Sequence, residues 1–425
     1  MAIIGRGDSG ELLTKADVRG IVAEGLDALP LQGKRVLVLV PDLTRTMPMP
    51  LFFRAIVHSL RGRAQAVDFM VALGTHPPLD EAALLKLFGL TAAERASDYA
   101  DVKLLNHAWA DPASLVTLGA LRAEEVEKLS EGRLRLEVPV RLNRRLLDYD
   151  HILICGPVFP HEVAGFSGGN KYFFPGVAGP DIIHFTHWLS ALITNYHIIG
   201  VMDTPVRRAM DRAASFIPRP RHALCSVVTH EGVAGLFVGE PEAAWAAAAR
   251  LSDQVHVRYI DQPYRQVLSM LPEMYQEIWV GSKGMYKLEP AVADGGEIVL
   301  YAPHIHEFSA VHGAVIHQIG YHVRDYFVKQ WDRFKGYPWG ILAHSTHLRG
   351  LGTYENGLEQ ARIQVTLATG IPEAECRSVC LGYRDPASIA PAEWTGREAE
   401  GLAVAPRAGE TLYRVRPSAG VDGGS

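Results

Sequence analysis

Lys34-Arg35-Val36-Leu37-Val38-Leu39-Val40-Pro41-Asp42-Leu43-Thr44-Arg45 is the stretch on which the fold turns. Its β-branched, wholly apolar run reads as a buried strand, of the kind that parallel sheets cover on both faces. Pro41 ends it, and a carboxylate, a hydroxyl and a guanidinium then follow on one turn. Working outward, residues 52–60 carry apolar side chains at helical spacing, and 66–73 form a second strand. That strand ends in Gly74-Thr75-His76-Pro77-Pro78, and Asp80 is placed to cap a helix over 81–88. Residues 151–155 form a third strand that runs into a long glycine-rich loop. Strands alternating with helices predict α/β units with largely parallel sheets. Ligands in such sheets collect beyond the carboxyl ends of the strands, so these three exits are expected to face one crevice.

A second pattern begins after Tyr259. Residues 266–270 read as a strand, 275–290 as containing a helix, and 296–302 as a strand with a histidine-rich exit. Residues 341–343 and 363–368 are further strand candidates. With the boundary in Asp261-Gln262-Pro263-Tyr264, the expectation is an N-terminal α/β domain over 1–262, a C-terminal α/β domain over 263–417, and a disordered tail over 418–425.

Composition narrows the class. A chain of 425 residues with 48% hydrophobic and 21% charged residues can bury sizeable cores without disulfides. A net charge of −5 gives no general attraction to nucleic acid or anionic membrane, so an anion must be held locally. The four cysteines form no C-x-x-C, and the Cys376/Cys380 spacing fits no common zinc signature. Reduced thiols, no apolar leader among the first thirty residues and no run long enough to span a bilayer predict a soluble, cytoplasmic protein.

Chemistry concentrates in a few segments. Pro160-His161-Glu162-Val163-Ala164-Gly165-Phe166-Ser167-Gly168-Gly169-Asn170-Lys171 has three glycines and a serine within five residues, which lets the backbone approach a ligand and aim N–H groups at an anion. Lys171 adds a point charge or a nucleophilic amine, and the pattern is not that of a Walker loop. An ordinary turn with a solvated lysine has the same spacing. Arg45 offers a fork for a carboxylate or phosphate, although a surface salt bridge or turn cap would use the same residues. His76 is stiffened by the two prolines that follow it, as a backbone-satisfied turn histidine would be. His184 and His187 share one face if their segment is helical, a spacing that suits a metal but is by itself weak.

Taken together, these segments resemble the nickel-dependent lactate racemase family. The family's P-H-x-x-A-G-F-S-G-G-x-K is matched at every fixed position from Pro160 to Lys171, its D-x-T-R by Asp42 to Arg45, and its G-T-H by Gly74 to His76. The resemblance implies a larger N-terminal α/β domain and a smaller C-terminal one, with the active site in the cleft between them. It implies that Lys171 holds a nickel-pincer nucleotide through a thioamide. His187, sixteen residues beyond that lysine, would ligate nickel, whose other ligands come from the cofactor. His76 and His161 would be the two acid/base groups, and Arg45 would take the substrate carboxylate. Asp42, Thr44, Gly165, Ser167, Gly168 and Gly169 would bed the cofactor, joined by Tyr275 and Gln276, and cofactor-maturation proteins would be partners. The implied activity is inversion at C2 of a small 2-hydroxy acid. Its C2 proton is too weakly acidic to abstract near neutral pH, so hydrogen moves as hydride while a base takes the hydroxyl proton. Each enantiomer needs its own base, hence two histidines.

One departure bears on the substrate. The family has a lysine three residues after Tyr-Gln, but Tyr275-Gln276 is followed there by Trp279, and the next lysine is Lys283. A sugar acid or other acid larger than lactate is therefore expected, with lactate as the alternative and Lys283 as the substitute catalytic lysine. Two other classes use some of the same residues: a zinc hydrolase, which needs three converging protein ligands, and a non-catalytic nickel- or nucleotide-binding protein, which needs no acid/base pair.

Overall fold

The computed structural model describes residues 2–416, so the expected disordered tail lies outside the described residues. The chain divides into two compact units. The first takes the chain up to Leu189 and resumes over Val201–Val255, and the second takes Ser190–Gly200 and the chain from His256 onward. Each is mixed α/β.

The first unit is built on a seven-stranded sheet in the order Ile4–Gly7, Val233–Gly239, Arg221–Val228, His151–Pro157, Arg35–Val40, Ala66–Val71, Leu104–Asn106. Neighbours from Arg221–Val228 to Leu104–Asn106 run parallel, and Val233–Gly239 pairs antiparallel on either side. Val36 to Val40 have no exposed surface, which is why that strand reads as an unbroken apolar run. Helices Lys15–Asp27 and Met49–Leu60 pack with it, and Phe53, Phe69, Phe88 and Tyr99 interlock at centroid distances of 4.8 to 5.5 Å. Asp80 caps Glu81–Phe88, its side chain accepting from the Ala83 amide at 2.8 Å. From Arg35–Val40 the chain adds strands outward on one side of the sheet, then returns to lay His151–Pro157 on the other. This is the topological switch point, and the loops after Val40 and Pro157 flank it.

The second unit contains a five-stranded, all-parallel sheet in the order Gly382–Tyr383, Gln364–Thr369, Val292–Ala302, Tyr264–Met270, Leu402–Ala405. One expectation is corrected here. Residues 341–343 are not a strand but lie inside the helix Trp339–Arg349, where Gly340 to Leu348 are all buried. A helix buried on all sides has no periodicity that a three-residue run could reveal. Residues 275–290 do contain helix, as expected, but in two short segments, Ile278–Gly281 and Lys283–Tyr286, followed by a 3-10 turn at Glu289–Ala291. Gly281, Gly284 and Pro290 are the residues that disfavour a continuous helix there. Among the described residues, no helix is long and apolar enough to cross a membrane.

Candidate active site

The three strand exits expected to converge belong to adjacent parallel strands: His151–Pro157, Arg35–Val40 and Ala66–Val71. Just past Val40 the Asp42 side chain is buried. One carboxylate oxygen accepts from the Thr44 amide at 3.0 Å and from the Thr44 hydroxyl at 2.7 Å. The other accepts a short hydrogen bond from His76 Nδ1. Burial alone would raise the Asp42 carboxyl, but the His76 charge and hydrogen bond, the Thr44 hydroxyl and the Arg45 charge outweigh it and hold it well below the usual carboxylate range. An ionised Asp42 fixes the proton of neutral His76 on Nδ1, leaving Nε2 as the basic nitrogen. The His76 loop is tied to the glycine loop through the Gly74 amide, which donates to the Gly176 carbonyl at 3.0 Å.

His161 carries the complementary tautomer. Its Nδ1 accepts from the Val163 amide at 3.1 Å, which puts the proton of the neutral ring on Nε2. Glu162 lies 3.3 Å from the same nitrogen. Beyond a short hairpin pairing Pro160–His161 with Gly165–Phe166, the chain turns at Gly168 (φ +84°) and Gly169 (φ +58°). A Cβ at Gly168 would come within 2.6 Å of Val158, and one at Gly169 within 2.9 Å of Trp245, so both conformation and space require glycine. The amides of Phe166, Ser167 and Lys171 donate to Ala164, Phe159 and Gly168, so these three are turned into the loop rather than toward an anion. The Ser167 hydroxyl likewise braces the loop, accepting from the Phe159 amide and donating to the Pro157 carbonyl at 3.0 Å.

What the loop offers chemically is Lys171. Desolvation, reinforced by the Arg45 charge and opposed by Glu162 and Asp42, pushes its amine down to about 7. Near neutral pH it is therefore substantially the uncharged, nucleophilic form. His187 sits on the helix Pro180–Ile193 with Nδ1 donating to the Ile183 carbonyl at 2.7 Å. Burial pushes its pKa down to about 4, with Lys171 adding to the effect, so the ring is neutral and Nε2 is its unprotonated nitrogen, the form that binds a metal. His184 is also lowered by burial, against the pull of Asp181.

Two supporting residues had no signal in the sequence. The Arg207 guanidinium is buried and donates to the carbonyls of Gly168, Ala164 and Phe166 while lying 4.2 Å over the Trp245 ring. Trp245 in turn donates to the Ser167 carbonyl at 2.9 Å. Nothing local marks an arginine 36 positions beyond Lys171 as the loop's brace. Glu162 stood in the quoted motif at one of its variable positions, yet its charge bears on Lys171 and on His187.

In the second unit, Tyr275 and Lys283 are together, with Lys283 Nζ 4.8 Å from the Tyr275 ring centroid. Gln276 is exposed and its amide donates to the Glu273 carbonyl. Trp279 stacks on His344 at 4.0 Å and lies 4.4 Å from His312, and Tyr321 Oη is 3.3 Å from His344 Nε2. Among the described residues, no group of three or more His, Cys, Asp or Glu side chains is arranged to hold a metal ion.

The first unit is thus an open α/β sheet carrying a desolvated lysine amine, a neutral helix histidine and two histidines of opposite tautomer around its switch point. Residues 6–198 match the family model described as the lactate racemase N-terminal domain. The chain is 22% identical over 275 residues to a lactate racemase of Thermoanaerobacterium thermosaccharolyticum, and 24% identical over 298 residues to one of Lactiplantibacillus plantarum. Those matches cover 63% and 69% of this chain but 60% and 65% of the relatives, under two thirds of each. A crystal structure of a Thermotoga maritima protein superposes with a TM-score of 0.88 at 31% identity, covering 97% of this chain and 100% of that one. The T. thermosaccharolyticum lactate racemase apoprotein shares the fold, with a TM-score of 0.69 at 18% identity over 97% of this chain and 94% of that one. Residues 6–198 thus match a lactate racemase N-terminal domain, and the chain is similar to the lactate racemases named above.

Proposed function

We propose that this protein is an isomerase that inverts C2 of a 2-hydroxy acid, with a nickel-pincer nucleotide held on Lys171 and His187. The observation that carries this is the half-buried Lys171 amine, its pKa pushed down to about 7, beside a neutral, tautomer-fixed His187. These donors fit the group. The amine can be acylated near neutral pH, and the imidazole offers nickel one nitrogen, which suffices when the nucleotide brings its own sulfur and carbon donors. A hydrolytic zinc has no matching set of three protein ligands among the described residues.

When bound, the nucleotide supplies an acceptor for the C2 hydrogen as hydride. The side chains do the rest. Arg45 takes the substrate carboxylate. His76, its Nδ1–H held by Asp42, receives the hydroxyl proton on Nε2 as the 2-oxo acid forms, and the imidazolium is stabilised by the same carboxylate. His161 presents an Nε2 proton and returns it to the oxygen from the other side, so the two tautomers suit one direction and exchange roles in the other. Tyr275 and Lys283 are assigned to the substrate end, with Lys283 standing in for the lysine that Trp279 replaces.

The stacked Trp279, His344 and His312, with the Tyr321 hydroxyl, favour an acid with more hydroxyls than lactate, such as a sugar acid. Lactate itself is the second reading, favoured by the activity of the two named relatives. The test is turnover in deuterated water by protein produced with its maturation partners. The inverted product should keep protium at C2, because that hydrogen moves as hydride. Solvent deuterium at C2 would mean proton abstraction and would overturn the mechanism.

A further inference from the structure

The second unit holds a nucleophilic cluster that this reaction does not use. Cys155, Cys225 and Cys376 are buried, and Cys380 is exposed. Its Sγ is 3.7 Å from His322 Nε2, and His322 Nδ1 is 2.6 Å from one carboxylate oxygen of Glu359. The other Glu359 oxygen accepts from the Val323 amide at 2.7 Å, with Arg349 Nε 3.8 Å away. The His322 ring is clamped face to face on Tyr326 at 3.7 Å, and its own amide donates to Ser345 Oγ at 3.0 Å. Gly320, at φ +69°, leaves the approach open, since a Cβ there would lie 3.0 Å from His322 Nε2 and 3.7 Å from the sulfur.

We propose that Cys380 is a modification site, a thiol activated by His322 and oriented through Glu359 that accepts a small thiol by exchange with a low-molecular-weight disulfide. Nucleophile, base and orienting carboxylate stand in the order that such activation requires. Glu359 fixes the neutral ring's proton on Nδ1, so Nε2 faces the sulfur as a base. Burial would lower His322, but its bonds to Cys380 and Glu359 outweigh that and raise it to about 8, so the neutral ring that takes the thiol proton is the minor form at pH 7 and gains as the pH rises toward 8. In the exchange, the Cys380 proton passes to Nε2 and the thiolate attacks one sulfur of the disulfide. A new S–S bond forms to Cys380, the reagent's S–S bond breaks, and the departing thiolate takes the proton back from His322. The protein thiol is oxidised to the mixed disulfide and one half of the reagent is reduced. The other three thiols are internal controls, because burial pushes each of them up, Cys376 to about 11 and Cys225 to about 12.

The test exposes the full-length protein to glutathione disulfide at pH 7 and follows it by intact-mass and peptide mass spectrometry. One adduct is expected, on Cys380, forming about tenfold faster than on an unstructured cysteine peptide, whose thiol is only a few per cent ionised there. In His322→Asn and in Glu359→Gln the rate should fall toward the peptide value. The pH profile should flatten in the same variants, since Glu359, Arg349 and Tyr326 are the ionisable groups against the His322 ring. A wild-type rate no faster than the peptide, an adduct on a buried cysteine first, or a rate unmoved in Glu359→Gln would overturn the proposal. The last variant keeps the ring and changes only its orienting charge, so it decides the matter even if His322→Asn does not fold.

Discussion

At the scale of residues, the account rests on two groups, Lys171 and His187, whose charged forms burial disfavours. A lysine lowered to about 7 moves the pH at which it becomes reactive: below that value the amine is an ammonium and unreactive, and above it the neutral form dominates. Acylation of Lys171 in the cofactor-free protein by a small amine-directed reagent should therefore rise with pH around a midpoint near 7. A rise that begins only near the ordinary lysine value would contradict the environment described for it. For His187 the expectation is nickel content. His187→Ala should lose most bound nickel, on the order of tenfold or more, while His184→Ala keeps it, because carrier lysine and Nε2 act as a pair only with His187. Nickel retained in His187→Ala and lost in His184→Ala would reverse the assignment. Lys171 was legible as a candidate because it stands in a short motif, and His187 by its spacing from that lysine. The charge state of Lys171 was not, since it depends on Arg45, Glu162 and Asp42, which only the fold brings near.

Elements explain why the glycine loop holds its shape. Its backbone bends at Gly168 and Gly169, and the carbonyls so exposed are collected from behind by Arg207, with Trp245 beneath the guanidinium. Removing that guanidinium takes a donor from three buried carbonyls, of which Ala164 and Gly168 keep an amide donor, so the cost is about 1–3 kcal/mol. Arg207→Met should lower the unfolding free energy by that amount in denaturant titration, and slow Lys171 acylation as the loop loosens. A variant of wild-type stability would show that the brace is not required. In the sequence, strands such as 35–40 and 66–71 were plain because two-sided burial leaves a continuous apolar run. Residues 341–343 misled for the same reason, since a helix buried on all sides offers an equally unpatterned run. Long-range braces such as Arg207 leave no periodic trace at all.

For the whole molecule, the decisive feature is the switch point in the first unit's sheet, which brings the exits of three adjacent parallel strands together with the loop that carries Lys171. That the chain alternates strands and helices was readable from composition and pattern. The strand order was not, because parallel pairing is set by contacts between strands far apart in sequence. The fold by itself does not choose a substrate; that role is proposed here for the side chains around Trp279, whose assembly from 279, 312, 321 and 344 could not be read from spacing. The central claim is inversion at C2, and it is tested most directly by incubating cofactor-loaded protein with a panel of single-configuration 2-hydroxy acids, lactate and aldonic acids included, and measuring C2 configuration by chiral chromatography. The account predicts inversion, fastest for a hydroxylated acid and slow or absent for lactate. Unchanged C2 configuration across the panel, in protein shown by mass to carry the cofactor on Lys171, would contradict it.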